Sequence, residues 1–296
     1  MANLKDISRQ IKSVKNTQKT TKAMKLVSSA KLRRTQQLAE KAKSYALKID
    51  EVLAEIATSV AKVQNKDFAL AKAFEDVVNP KVVDILFITA DKGLCGGFNM
   101  ATIRKVRALI EEYKSAGVTV RLRAVGRKGI DFFNFQEIAL LQEKIGLSSA
   151  PTYDGASEFI SNVFEDFIEG NTDKVILVHN GFKNMLTQEL RINTVLPVSV
   201  EFKETEVESS LMEIEPLEED EAVLGELLEK YTDFTMYYSL IDSLSAEHSA
   251  RMQAMDNATN NAKDKVNSLT VEYNKARQAA ITTELIEIIS GVEALK

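Results

Sequence analysis

One cysteine, two histidines, four prolines and no tryptophan among 296 residues close several routes to function at once. A single thiol, Cys95, forms no internal disulfide framework and no cysteine-only zinc site, which fits a reducing compartment. His179 and His248 alone are too few for the common metal centres. No apolar run approaches the roughly 18 residues of a membrane span, and the opening MANLKDISRQIKSVKN has no apolar core of a secretory signal. Basic residues are outnumbered 38 to 43, giving a net charge of −5, which argues against a general nucleic-acid binder. What is present is 45% hydrophobic content, enough for a proper core in a soluble, cytosol-side chain.

The scarce helix breakers are also unevenly placed. All four prolines (80, 151, 197 and 216) and ten of the twelve glycines fall between residues 80 and 216. The flanks are therefore free to form long helices, and the middle is a different object. In the first flank Leu38, Ala42, Tyr45, Ile49, Val52 and Ile56 alternate in steps of four and three, with Ile7, Ile11 and Val14 starting the rhythm earlier. In the second, the same alternation runs unbroken from Phe234 through Tyr238, Ile241, Ser245, His248, Met252, Met255, Thr259, Ala262, Val266, Leu269 and Tyr273 to Ala276. Both read as coiled-coil seams of period 3.5, with left-handed supercoiling expected. Past Ala276 the apolar positions move to Ile281, Leu285, Ile288 and Val292, as if the stripe changed partner.

The middle alternates strand-like and helix-like stretches. Strands are predicted over 81–90, 118–125, 173–180 and 189–198, and helices over 98–116 and 156–169. Such alternation implies a sheet with helices on its faces. The fold class is therefore α/β: a long antiparallel two-helix coiled coil of the N- and C-terminal helices plus a central α/β (Rossmann-like) domain. The expected division is 1–75 for the N-terminal coiled-coil helix, 76–205 for the α/β domain, and 206–296 for an acidic connection and the C-terminal coiled-coil helix.

The enzyme-like element is ITADKGLCGGFN (88–99), a glycine-rich turn between a strand and a helix, where nucleotide folds bind phosphate. Gly93, Gly96 and Gly97 fit neither G-x-G-x-x-G nor G-x-x-x-x-G-K-[ST], so a tight structural turn is the better reading. Cys95 sits at the start of a helix without a histidine near it in sequence, which favours a small buried hydrophobe over a nucleophile. His248 falls on the seam and reads as packing; His179, before Asn180 and Gly181, reads as a loop histidine. The first helix is a basic rod, with thirteen Lys and Arg between Lys5 and Lys48 against Asp6 and Glu40 alone. A solvated face, an acidic protein partner and a nucleic acid all fit that charge; the absence of aromatics from residues 1–44 ranks nucleic acid last.

Three separated parts of the chain, in order, stand out: KNTQKTTKAMKLVSSAKLRR (15–34), the glycine turn ITADKGLCGGFN (88–99), and the last helix with ARMQAMDNATNNA (250–262) and YNKARQAAITTELIEIISG (273–291). Together they resemble the N-terminal signature, the glycine turn and the C-terminal helix of the gamma subunit family of the F-type ATP synthase, the central rotor shaft. The resemblance implies a non-catalytic subunit with no cofactor, whose terminal helices enter a ring of three alpha and three beta subunits. Its α/β domain is the foot on the epsilon subunit and the ring of c subunits. It further implies that Arg277 and Gln278 hydrogen-bond a loop of beta, that Met24, Lys19, Lys22 and Lys25 approach an acidic loop of beta, and that the C-terminal tail turns in an apolar sleeve. Met212 and Ile214, before Pro216, take foot contacts, although the family's aromatics in this segment are absent here. Location at the cytoplasmic face of a bacterial inner membrane, through the complex only, follows from the same likeness.

In that setting the small amides of MQAMDNATNNA acquire a reason. Gln253, Asn257, Asn260 and Asn261 give a turning helix short neutral hydrogen-bonding groups, where large apolar residues would favour one angle and unpaired buried charge would cost several kcal/mol. Two further readings compete: a nucleotide enzyme using Gly93, Gly96 and Gly97, and a static coiled-coil adaptor for acidic proteins.

Overall fold

The structure, a computed structural model, describes residues 4–62, 72–74, 77–198 and 218–293. The foot candidates Met212 and Ile214, and the acidic stretch around them, lie outside the described residues. The chain divides into two compact units, one of residues 1–29 with 251–296 and one of residues 30–250. Two long helices contribute to both: α1, Leu4–Lys62, and α5, Glu218–Glu293.

The first unit is an antiparallel pair of helices. Thr21 Oγ1 meets Thr259 Oγ1 at 2.7 Å, and four residues further along α1, Lys25 Nζ meets Asp256 Oδ1 at 2.6 Å, three residues back along α5. The helices thus run in opposite directions with matched seams. Every predicted α5 seam position is buried or partly buried, Met252 to Ala276 in this unit and Phe234 to His248 in the second. On α1 the predicted Ile7 and Ala42 are buried and Ile11 and Val14 partly buried, while the side chains of Tyr45, Ile49, Val52 and Ile56 lie outside the described residues; Thr21, Ser28 and Thr35 complete the stripe where no apolar residue was predicted. Ile7, Thr21, Ser28, Thr35 and Ala42 are buried at heptad spacing, with Val14 partly buried among them and Leu32 buried beside them, whereas Leu38 is 42% exposed. Hydroxyl residues can serve as knobs here because their O–H groups are satisfied locally: Thr21 Oγ1 donates to Gln18 O at 3.1 Å and Thr35 Oγ1 to Leu32 O at 3.0 Å. Thr21 then meets the Thr259 hydroxyl of α5 across the pair. At the far end of α5, Ile281, Leu285, Ile288 and Val292 are exposed.

The second unit is built on a five-stranded sheet, order β3-β2-β1-β4-β5. Its elements in chain order are β1 (Val82–Ile88), α2 (Phe98–Ser115), β2 (Thr119–Val125), α3 (Arg127–Phe135), β3 (Gln142–Lys144), α4 (Tyr153–Ile168), β4 (Lys174–Phe182) and β5 (Gln188–Leu196). The first four strands are parallel, and β5 pairs antiparallel with β4 at one edge. Helices α2 and α3 cover one face through Ile103, Val106, Ile130 and Phe133, packed on Ile85, Phe87 and Val178. On the other face Phe159, Ile160 and Val163 of α4, with Leu228, Met236 and Leu240 of α5, pack on Leu86, Ile88 and Leu177. Burial on both faces explains why β1 and β4 read as continuous apolar runs rather than alternating ones.

Two elements escape the sequence reading. The nine-residue α3 and three-residue β3 are too short to generate a periodic signal. Helix α4 begins at Tyr153, three residues earlier than expected, because Thr152 Oγ1 accepts the Gly155 N–H at 3.2 Å as a cap. Strand β4 runs on to Phe182, so His179 is a strand residue and not the loop histidine predicted; it is buried.

Candidate functional site

A doubly wound sheet offers its ligand crevice outside the carboxyl ends of the strands, where the chain reverses its direction of winding. Here β1 leads outward to β2 and β3, and α4 then carries the chain back to β4 on the opposite side of β1. The reversal therefore lies between β1 and β4, and the glycine turn 88–99 sits at its mouth. The crevice is filled. Ala90, Cys95 and Phe98 from the turn cluster with Phe182 of β4 and with Ala246 and Ala250 of α5. The two alanines stand one helical turn apart, and their small side chains let α5 approach the strand ends closely.

The turn itself is tied down by side chains the sequence reading passed over. Asn99 Oδ1 accepts the Ala90 N–H at 2.8 Å, and Asn99 Nδ2 donates to Cys95 Sγ at 3.3 Å. Asn180 Nδ2 donates to Phe98 O at 2.7 Å and Thr102 Oγ1 at 2.9 Å. Asp91 gathers three loops, accepting Ser149 Oγ at 2.7 Å, the Arg127 N–H at 3.0 Å and the Gly146 N–H at 3.2 Å. Burial pushes the Asp91 carboxyl up, but these bonds together with Ser148 outweigh it and leave the group below its ordinary value of 3.8. Gly126 is required at the adjoining strand end: its φ is +101°, and a Cβ there would lie 1.9 Å from Thr89 O. The turn is thus a packed junction, and Cys95 is buried within it.

Beneath the sheet's opposite end lies an ion cluster that no sequence motif announced. Asp84, fully buried on β1, accepts Arg121 Nε at 2.6 Å and Arg123 Nε at 2.9 Å, and both guanidiniums also meet Asp166 of α4. Burial raises the Asp166 carboxyl, yet the Asn171 hydrogen bond and the two arginine charges bring it below 3.8. The one available signal was the alternating Arg-Leu-Arg of β2 beside a strand carrying a single aspartate, in a register that sets Asp84 opposite Arg121.

The side chains of the predicted partner surface lie mostly outward. Lys19, Lys22, Arg277, Gln278, Asn257, Asn260 and Asn261 are exposed; Met24, Lys25 and Gln253 are partly buried. Relative to the seam at 252, 255, 259 and 262, the four amides occupy outer heptad positions. Lys25 differs from its neighbours because Asp256 neutralises it. Beside Met24, Leu26 and Val27 expose apolar side chains that the reading of a purely basic rod missed.

The family model described as ATP synthase matches residues 3–295. The ATP synthase gamma chain of Aliarcobacter butzleri is 64% identical over 296 residues, covering all of both chains. The chain belongs to the ATP synthase gamma chain family. That of Nitratiruptor sp. is 60% identical, again over the full length of both. Among solved structures, a chain of the Euglena gracilis mitochondrial ATP synthase OSCP/F1/c-ring assembly superposes with a TM-score of 0.66 at 17% identity, covering 99% of this chain and 94% of that one. A central stalk/c-ring chain of the Tetrahymena thermophila enzyme gives 0.58 at 23% identity, over 81% and 99%. Two long helices flanking a mixed-sheet domain are thus the fold of this gamma chain family. Among the described residues no helix is long and apolar enough to cross a membrane.

Proposed function

We propose that this chain is the central rotor shaft of an F-type ATP synthase. It couples ion-driven rotation of a membrane ring of c subunits to ATP synthesis or hydrolysis on a hexamer of three alpha and three beta subunits. Full-length identity with gamma chains is the observation that carries this reading. Residues 1–75 and 206–296 supply the shaft, and 76–205 the foot, against which epsilon and the c ring pack. In this reading the chain is not itself catalytic, which is supported by the helix that packs where an α/β domain would take a nucleotide. It lies peripherally at the cytoplasmic face of a bacterial inner membrane, held there by the complex.

Within the shaft, Arg277 and Gln278 bond a loop of beta, while Met24, Lys19 and Lys22 face a second, acidic loop. The exposed apolar stretch of α5 from Ile281 to Val292 fits an apolar sleeve, which would remove it from water. Asn257, Asn260 and Asn261 form the outer face that slides past successive beta subunits.

Reconstitution tests the proposal: the chain is mixed with competent alpha and beta subunits and a bead is fixed to the α/β domain. Cys95 is too buried to hold the bead, so a surface cysteine such as Lys114→Cys serves. Directional, ATP-driven turning is expected. A complex that hydrolyses ATP without turning the bead would make the chain a static adaptor.

A further inference from the structure

Helix α5 is held to the sheet of its own unit by more than apolar packing. Asp242, with only 6% of its side chain exposed, sends one carboxylate oxygen to two strands at once: Oδ2 accepts Arg191 Nη1 at 2.8 Å and meets His179 Nε2 at 3.1 Å. Its Oδ1 accepts the Phe182 N–H at 3.1 Å. His179 and Arg191 stand directly opposite each other in the β4–β5 ladder, so the pair presents a single docking point to the helix. Gly181, next on the same face, leaves the necessary gap. A Cβ there would lie 2.4 Å from Arg191 Nε and 2.5 Å from Asp242 Oδ2. Two helical turns along α5 from Asp242, Ser249 repeats the arrangement: its Oγ donates to Met185 O at 2.9 Å and accepts Gln188 Nε2 at 3.2 Å. The β4–β5 hairpin thus grips one side of α5 at two points about 10 Å apart.

We infer that Asp242, with Arg191, His179 and Ser249, is a torsion clamp: a set of positioning residues that stop α5 from rotating about its own axis against the sheet when load is applied. Apolar contact is non-directional and resists separation more than sliding. Charge-assisted hydrogen bonds have preferred lengths and angles, and therefore resist sliding. The clamp closes where α5 is buried on every side, between Ser239 and Arg251, so twist entering from the sheet meets no solvated, yielding surface there. Tyr238 flanks the cluster, its phenol pushed up by burial and by the Asp242 charge against the opposing effect of Arg191.

The inference rests on the rotor-shaft reading, and one experiment separates the two. Complexes of this chain with its alpha and beta subunits carry a bead at Lys114→Cys, and the angular spread of the bead is recorded within each dwell during ATP hydrolysis. A wild-type complex that does not turn overturns the shaft reading itself. With wild type turning, Asp242→Asn and Arg191→Gln are expected to broaden the spread and to stall at a smaller viscous load, with unloaded hydrolysis kept. Unchanged spread in these variants overturns the clamp, even if their melting temperatures fall, because stability alone does not move this readout. Lys144→Gln breaks the largely exposed pair with Glu158, which among the described residues makes no hydrogen bond or ion pair to α5, and is expected to keep the wild-type spread. Equal broadening in that control also overturns the clamp. Should Asp242→Asn fail to assemble, Arg191→Gln, whose side chain is 30% exposed, and Ser249→Ala decide the outcome by the same measure.

Discussion

Removing the Asp84 carboxylate tests whether the ion cluster under the sheet is a structural necessity. The cluster holds two guanidiniums and two carboxylates. Asp84 is wholly buried and Arg123 is 3% exposed, while Arg121 and Asp166 keep 22% and 24% of their side chains in water. Asp84→Ala leaves one net positive charge in place of none. Breaking a buried pair on one side costs roughly 3–5 kcal/mol. The lower end applies here, because Asp166 still serves both arginines, Gln142 Oε1 still accepts Arg123 Nη1 at 2.8 Å, and Arg121 can turn toward solvent. A loss of about 3 kcal/mol corresponds to roughly 6–12 °C in melting temperature for a domain of this size. Thermal unfolding of the full-length chain, followed by circular dichroism at neutral pH, measures it directly. The double variant Asp84→Leu/Arg123→Met keeps the Arg121–Asp166 pair, restores neutrality and should recover most of the loss. A single-variant loss under about 1 kcal/mol would refute the reasoning, since it would mean that water already reaches and screens Arg123.

Other outcomes are expected of named groups. Asp91 has a folded pKa below its ordinary 3.8, so its contribution is complete at neutral pH and is lost as pH falls through the folded value; Asp91→Asn should therefore lessen the fall in stability expected below about pH 4, as measured by urea unfolding at a series of pH values. Lys25 and Asp256 are each more than a third exposed, so a double-mutant cycle on the pair should return about 0.2–1 kcal/mol, a larger value pointing to a dry seam. Neutralising Lys19, Lys22 and Lys25 together should weaken coupling more at low salt than at high salt; equal loss at both would assign the effect to packing. Gly181→Ala should cost about 1–3 kcal/mol by overpacking against Arg191 and Asp242, with an unchanged melting curve contradicting that geometry. Replacing Asn260 and Asn261 with Leu should lengthen rotational dwells, and dwells identical to wild type would remove the case for a neutral outer face.

Long-range periodicity was the most legible part of the sequence, because thirteen consecutive seam positions of α5 leave little room for another register. The α1 seam was harder. Its middle positions are Thr21, Ser28 and Thr35, which a search for apolar residues skips, and Leu38 lies on the wrong side of the stripe. The strands of the sheet announced themselves through burial on both faces, whereas α3 and β3 lacked the length to do so. His179 was misread because Asn180 and Gly181 look like breakers. In the structure Asn180 binds Phe98 O and Thr102, and Gly181 makes room for Asp242, so both serve tertiary contacts inside an unbroken strand. The ion cluster and the Asp242 clamp depend on partners 37 to 64 residues apart in the chain, and beyond the Arg-Leu-Arg alternation of β2 no local charge pattern announces them. The outer-face amides and the exposed tail could be found from the sequence as positions, but their use follows only from family membership.

The alanines at 246 and 250 have a consequence for how this domain can be controlled. An α/β sheet that keeps its crevice open can be switched by whatever small molecule enters it, because occupancy and closure are coupled. In this chain that crevice is permanently occupied by a covalently attached segment at fixed, effectively saturating concentration. Metabolite levels have no vacancy to act on there. A change that begins at this crevice has to begin with displacement of the helix, because the helix and not a diffusible ligand fills it.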